Sequence, residues 1–203
     1  DEITQQKITS KIDLEKKYKI KFSGKEILLL QHPVTTQTTL SNIQIKNTLD
    51  AIARFKKTTI AIAPNSDAGN SSIFKSLKSF SKTHSFFKFF STIPRSDYLG
   101  MLSNCKVLVG NSSSGIIESS YFNIAVVNIG IRQKNRESGD NIINVNSTST
   151  NNIYQAIKTA LEKKKFELKK SNIYGNGTAS KKIVKILETI TLDSDLIQKQ
   201  ITY

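Results

Sequence analysis

Apolar residues gather in short continuous runs along this chain, and strict apolar–polar alternation is rare. Six runs read as buried strands: Glu26–Gln31, Thr59–Ala63, Phe86–Phe90, Val107–Val109, Ala125–Ile129 and Ile142–Val145. Between them the spacing changes to the helical period. Apolar positions at 43, 45, 49, 52 and 55 predict a helix over Asn42–Phe55. Further helices are expected over Ile12–Tyr18, Ile73–Phe80, a segment N-capped by Ser96 or Asp97 and ending at Asn104, the stretch from the serine turn to Tyr121, Asn152–Lys164 and Ala179–Ile190. The residues "TTQTTLS" (35–41) and "PNSDAGN" (64–70) read as loops.

Strands that are continuously apolar and alternate with helices predict a parallel sheet covered on both faces. The expected fold is therefore α/β, a doubly wound, Rossmann-like sheet of about six strands. The expected organisation is a linker and short helix over residues 1–24, a Rossmann-like domain over 25–190, and a tail or helix over 191–203. The "KKKFELKK" run (163–170) reads as an exposed helix end.

In such a sheet, ligands meet the turns at the carboxyl ends of the strands. The unusual polar turns all fall there: His32, Asn65 with Asp67, Ile93–Arg95, Asn111–Gly115 and Gly130–Arg132. The turn "GNSSSG" (110–115) opens a helix, where unpaired backbone N–H groups and a partial positive charge suit a phosphate, and small residues let it approach. Ser112 or Ser113 would equally serve as a plain helix cap. Gly115 is expected to keep the first helical turn open. Glu118 lies one turn further, on the face of Ser114 and Phe122, where a carboxylate could accept from both hydroxyls of a ribose or simply favour the helix dipole. His32 is either structural or a single N–H donor at the rim. Asp67 is a local acid or a turn former. No role is assigned to His84. Neither the P-loop nor the G-x-G-x-x-G pattern is present.

Composition narrows the classes. Two His and one Cys among 203 residues leave no zinc ligand set and no internal disulfide, and Cys105 alone fits a cytoplasmic setting. No apolar stretch approaches the roughly 18 residues of a membrane span. The net charge of +14 comes mostly from dispersed Lys, with Arg only at 54, 95, 132 and 136. Without Trp and without an Arg stripe, that charge reads as a lysine-coated surface that attracts anionic small molecules, and nucleic-acid binding is the weaker alternative. The chain opens on "DEITQQ", with no initiator Met, and reads as a piece of a longer protein.

The segments "QHPVTT" (31–36), "PNSDAG" (64–69), "GNSSSGIIE" (110–118), "NIGIRQKNRESGDNII" (128–143) and "NIYGNGTASKKI" (172–183), in this order and spacing, resemble the hydrolysing UDP-N-acetylglucosamine 2-epimerases. The serine-rich turn is closer to that branch than to the non-hydrolysing one. The resemblance implies the C-terminal, nucleotide-holding half of a glycosyltransferase-B-type fold. It implies that His32 and Asn65 meet the diphosphate and neighbouring groups, the backbone near Ile93 the uracil, Ser112 and Ser113 the phosphates, Glu118 the ribose, and Arg132 the phosphate side of the cleft. The implied partners are UDP or a UDP-amino sugar, the N-terminal domain of the same protein and, since family members are generally oligomeric, a second copy of the chain. No cofactor or metal is implied, and the carboxylates that handle the sugar C2 proton belong to the other half. Where some members read a sialic acid nucleotide, this chain has Ser71, Ser91 and Thr92, and that regulation is not carried over. A nucleotide-sugar transferase domain is the nearest alternative, since its fold shares this half.

Overall fold

The computed structural model describes residues 2–5, 7–163 and 173–198. In chain order its elements are α1 (Glu2–Gln5), α2 (Lys11–Tyr18), β1 (Ile27–Leu30), α3 (Ser41–Ala53), β2 (Thr59–Ile62), α4 (Asn70–Thr83), β3 (Phe87–Phe90) and α5 (Arg95–Asn104). They continue with β4 (Val107–Gly110), α6 (Ser113–Ile117), α7 (Ser119–Phe122), β5 (Ala125–Ile129), β6 (Ile142–Val145), α8 (Thr150–Glu162), α9 (Ala179–Thr189) and α10 (Ser194–Ile197). The "TTQTTL" segment is a 3-10 turn rather than an open loop. The expected end of the helix after Asn152 and the basic run to Lys170 lie outside the described residues beyond Lys163.

Contacts divide the chain into two compact units, Lys7–Ile173 and the pair of segments Asp1–Gln6 and Tyr174–Tyr203. In the smaller unit, α9 leaves Ile183, Val184, Ile186 and Leu187 exposed along its length. The larger unit is the α/β domain. All its strands pair in parallel, in the order β3-β2-β1-β4-β5-β6. That is the doubly wound order, and it reverses between β1 and β4.

The continuous apolar runs have a direct cause in this arrangement. β1, β2, β4 and β5 are buried along their whole length. Successive side chains point to opposite faces. Ile27, Leu29, Val107, Val109 and Val127 enter a core roofed by α3, α4 and α8. Leu28, Leu30, Ile60, Leu108 and Val126 enter the opposite core, which α2 and α5 cover with Leu14, Leu99 and Met101.

Two expected helix boundaries are corrected. Neither Ser96 nor Asp97 caps α5, which begins at Arg95 directly after Pro94. Asp97 is buried, and its carboxylate turns toward α2 and the chain before it, accepting from Thr9 Oγ1, Lys17 Nζ and Tyr18 OH, each at 2.6 Å. Three donors, one of them charged, make that burial tolerable. Burial alone would raise the Asp97 carboxyl, but these bonds hold it below the usual range. The helix after the serine turn does not run unbroken to Tyr121. It breaks at Glu118 into α6 and α7; just beyond the break the Ser119 hydroxyl bonds back to the Gly115 carbonyl, a contact that bends helices, and also accepts from Asn141 Nδ2.

The switch point is tight. Gly110 ends β4 with φ of +135°, and a Cβ there would lie 2.1 Å from the Leu30 carbonyl oxygen of β1. Gly110→Ala is therefore expected to cost more than about 2 kcal/mol of stability, since it combines a forbidden φ with a backbone clash. Urea unfolding of the variant against the parent checks this; an unchanged midpoint would mean that the two strands do not approach so closely.

Candidate functional site

β1 and β4 run side by side as far as Leu30 and Gly110, then diverge into turns on the same edge of the sheet. At that point Asn111 takes over the ladder with its side chain. Its Oδ1 accepts from the His32 backbone N–H at 2.7 Å, and its Nδ2 donates to the His32 carbonyl at 2.9 Å. Its own carbonyl accepts from Gln133 Nε2 at 2.9 Å and from Arg132 Nη1 at 3.2 Å. Asn111 thus joins the turns after β1, β4 and β5.

His32 extends the cluster to the turn after β2. Its Nδ1 accepts from the Asn65 backbone N–H at 3.0 Å. A nitrogen that accepts carries no proton, so the neutral ring bears its hydrogen on Nε2. Burial, followed by the charge of Arg132, lowers the His32 pKa to about 4, which keeps the ring neutral at pH 7. Asn65 Nδ2 donates to Asp67 Oδ2 at 2.6 Å, and Arg132 Nη2 lies 3.8 Å from the same oxygen. His32, Asn65, Asp67 and Arg132, which come from three different turns, therefore form one network.

The serine turn begins directly after Asn111. Ser112 is the N-cap of α6, accepting from the Ser114 N–H at 3.3 Å, and Ser113 is the first helical residue. The cap reading of Ser112 is thus realised in the fold. Gly115 has a different role from the one expected. It is buried, and a Cβ would sit 3.1 Å from Val126 Cγ1 and 3.2 Å from Leu108 Cδ2, so its bare backbone lets α6 lie against the sheet. Glu118 does share a face with Ser114, whose hydroxyl donates to Glu118 Oε2 at 2.6 Å. Its other oxygen pairs with Arg95 Nη2 at 2.6 Å. Ile93 stands apart from these polar bonds and packs, partly buried, against the core beneath α5. His84 lies face to face with Phe80, ring centres 3.8 Å apart.

Sequence reasoning missed Gln133 and the partners of Glu118, and it saw Asn111 only as part of a turn. Nothing in the spacing of residues 32, 111 and 133 signals that they meet. The nearest hint was an Asn placed immediately after a buried strand. A separate recess of about 360 Å³ lies at the opposite edge of the sheet, lined by Ser23, Cys105, Lys106 and Asn123 among others; among the described residues, no His, Asp or Glu lines it. Among the described residues, no group of three or more His, Cys, Asp or Glu side chains could hold a metal ion, and no helix is long and apolar enough to cross a membrane.

The family model described as UDP-N-acetylglucosamine 2-epimerase matches residues 1–188. The chain belongs to the UDP-N-acetylglucosamine 2-epimerase family. Its relatives include the hydrolysing UDP-N,N'-diacetylbacillosamine 2-epimerase of Legionella pneumophila, 35% identical over 98% of this chain and 52% of that protein. Another is the hydrolysing GDP/UDP-N,N'-diacetylbacillosamine 2-epimerase of Campylobacter jejuni, 32% identical over 78% of this chain and 41% of that protein. The fold is shared with the UDP-GlcNAc 2-epimerase of Neisseria meningitidis solved with UDP-GlcNAc bound, at a TM-score of 0.69 and 16% identity, over 89% of this chain and 49% of that one. This epimerase-family chain spans about half the length of the first curated relative it matches.

The lowered pKa of His32 has a consequence for stability. The unfolded chain protonates this histidine near its ordinary value, about 6.5, whereas the folded chain resists protonation down to about 4. Its contribution is complete above about pH 6.5 and is lost as pH falls toward the folded value. Urea midpoints measured from pH 7 to pH 4 should fall more steeply for the parent than for His32→Gln. Parallel curves would show that His32 is not held neutral by the fold.

Proposed function

We propose that this chain is the C-terminal, UDP-binding half of a hydrolysing UDP-N-acetylglucosamine 2-epimerase. The observation that carries the reading is the meeting of His32, Asn65, Asn111 and Arg132 at the switch point, in a chain of this family. Doubly wound sheets bind their ligands there. In this reading the diphosphate lies against the serine turn, with Ser112 and Ser113 as donors. The Nε2–H of His32 and the guanidinium of Arg132 add donors beside it. The backbone at Ile93 meets the uracil, and Glu118 meets the ribose.

The reaction proceeds in two stages. A base removes the C2 proton of the sugar while the C1–O bond breaks and UDP leaves, producing an unsaturated sugar. Water then adds across the double bond, with its hydroxyl at C1 and a proton at C2 on the opposite face, to give N-acetylmannosamine. This half of the protein stabilises negative charge on the departing diphosphate with donors fixed in advance. The acid–base groups come from the other half. The protein acts in the cytoplasm, where it supplies an amino sugar for sialic-acid-type products; a polysialic acid biosynthesis protein of Escherichia coli is 38% identical over 68% of this chain.

A second substrate is favoured by one observation: the Legionella and Campylobacter relatives are named for a diacetylated amino sugar. Incubation of the intact protein with UDP-N-acetylglucosamine and with UDP-N,N'-diacetylbacillosamine, followed by analysis of the free sugar, separates the two. Release of UDP with a C2-inverted free sugar supports the reading. Sugar transfer to an acceptor without that product would make the protein a transferase instead. The chain of residues 1–203 alone is expected to bind UDP weakly without turnover. Because the His32 donor is neutral, affinity for the UDP-sugar should stay level between pH 5.5 and 7.5. A progressive loss as pH rises through 6.5 would point to a charged imidazole.

A further inference from the structure

The reading above gives Glu118 to the ribose, and the structure shows what holds that carboxylate in place. Glu118 is 12% exposed, and its two oxygens have different partners. Arg95 Nη2 binds Oε1 and the Ser114 hydroxyl binds Oε2, each at 2.6 Å. Ser114 has one hydrogen, which it gives to Glu118, so it must accept from its other neighbour, the Tyr98 hydroxyl. Tyr98 is buried, and burial above all keeps its phenol protonated and able to donate. Arg95 and Tyr98 both stand in the first turn of α5, on either side of the anchored Asp97 and its neighbour Ser96. One helical turn therefore fixes both ends of the carboxylate.

An ionised carboxylate offers about four acceptor positions, two on each oxygen. Arg95 takes one on Oε1 and Ser114 takes one on Oε2. One position remains on each oxygen, which matches the two adjacent hydroxyls of a ribose. We propose that Arg95 and Ser114 are positioning residues that turn Glu118 into a reader of a vicinal diol, and so make the site select a ribonucleotide over its 2′-deoxy counterpart. The proposal rests on the nucleoside-diphosphate reading of this rim.

Calorimetric titration of the intact protein with UDP and with 2′-deoxy-UDP tests it. The parent should prefer UDP by about tenfold or more, the usual worth of a hydrogen bond to a charged group. Arg95→Ala and Ser114→Ala should each bring the preference to within about threefold, by weakening UDP while 2′-deoxy-UDP changes little. Arg95→Lys should restore part of it, because it returns the charge without the planar fork. A merely structural ion pair at this exposed Arg would weaken both nucleotides equally or neither. Arg95→Ala that keeps the preference, or binds UDP more tightly, overturns the proposal. If Glu118→Ala erases the preference while Arg95→Ala and Ser114→Ala leave it intact, the nucleotide site stands and the positioning role falls. A parent that binds neither nucleotide overturns both readings together.

Discussion

Everything at the rim depends on how two adjacent strands part. β1 and β4 share a ladder up to Leu30 and Gly110, after which the chain must leave in two directions. Backbone groups just beyond a ladder lose their partners, and leaving them unpaired under cover is costly. The Asn111 amide supplies both a donor and an acceptor to residue 32, so the ladder effectively runs one step further through a side chain. The same residue's carbonyl gathers Arg132 and Gln133 from the turn after β5. The turns around the switch point are thereby tied to one another by hydrogen bonds.

Electrostatics at this edge are finer than the net charge of +14 suggests. The cations of the rim have specific acidic neighbours: Arg132 lies near Asp67 and Arg95 is paired with Glu118. His32 stays neutral because burial and Arg132 both oppose its protonation. What the rim offers an anion is therefore mostly oriented N–H and O–H dipoles. In the proposed role, such donors need no reorganisation when charge develops on the departing diphosphate. The many dispersed lysines add long-range attraction and little geometry.

The first turn of α5 links two parts of the domain. Through Asp97 it holds Thr9, Lys17 and Tyr18, which lie ahead of β1. Through Arg95 and Tyr98 it reaches Glu118 and Ser114. A buried carboxylate with three donors is a demanding arrangement, and removing one partner would leave charge uncompensated. Four consecutive residues thus tie the segment that enters the domain to the helix pair behind the serine turn.

The class of fold and most of its strands and helices were legible along the chain. Runs such as Ile27–Leu30 and Val107–Val109 are apolar on both faces because helices cover both faces of the sheet, and that is a local, readable consequence of burial. The short motifs around His32, Ser112 and Arg132 were equally legible, since turn chemistry is written in a few adjacent residues. Which turns meet was legible only in three dimensions. The tertiary structure brought residue 32 to residue 111 and residue 95 to residue 118, gave Gly115 a packing role against Leu108 and Val126, and turned Asp97 inward instead of leaving it as a cap. The physical reason is that strand order and register set those distances. Hydrophobic periodicity records how deeply a residue is buried and leaves no trace of which distant side chain stands beside it.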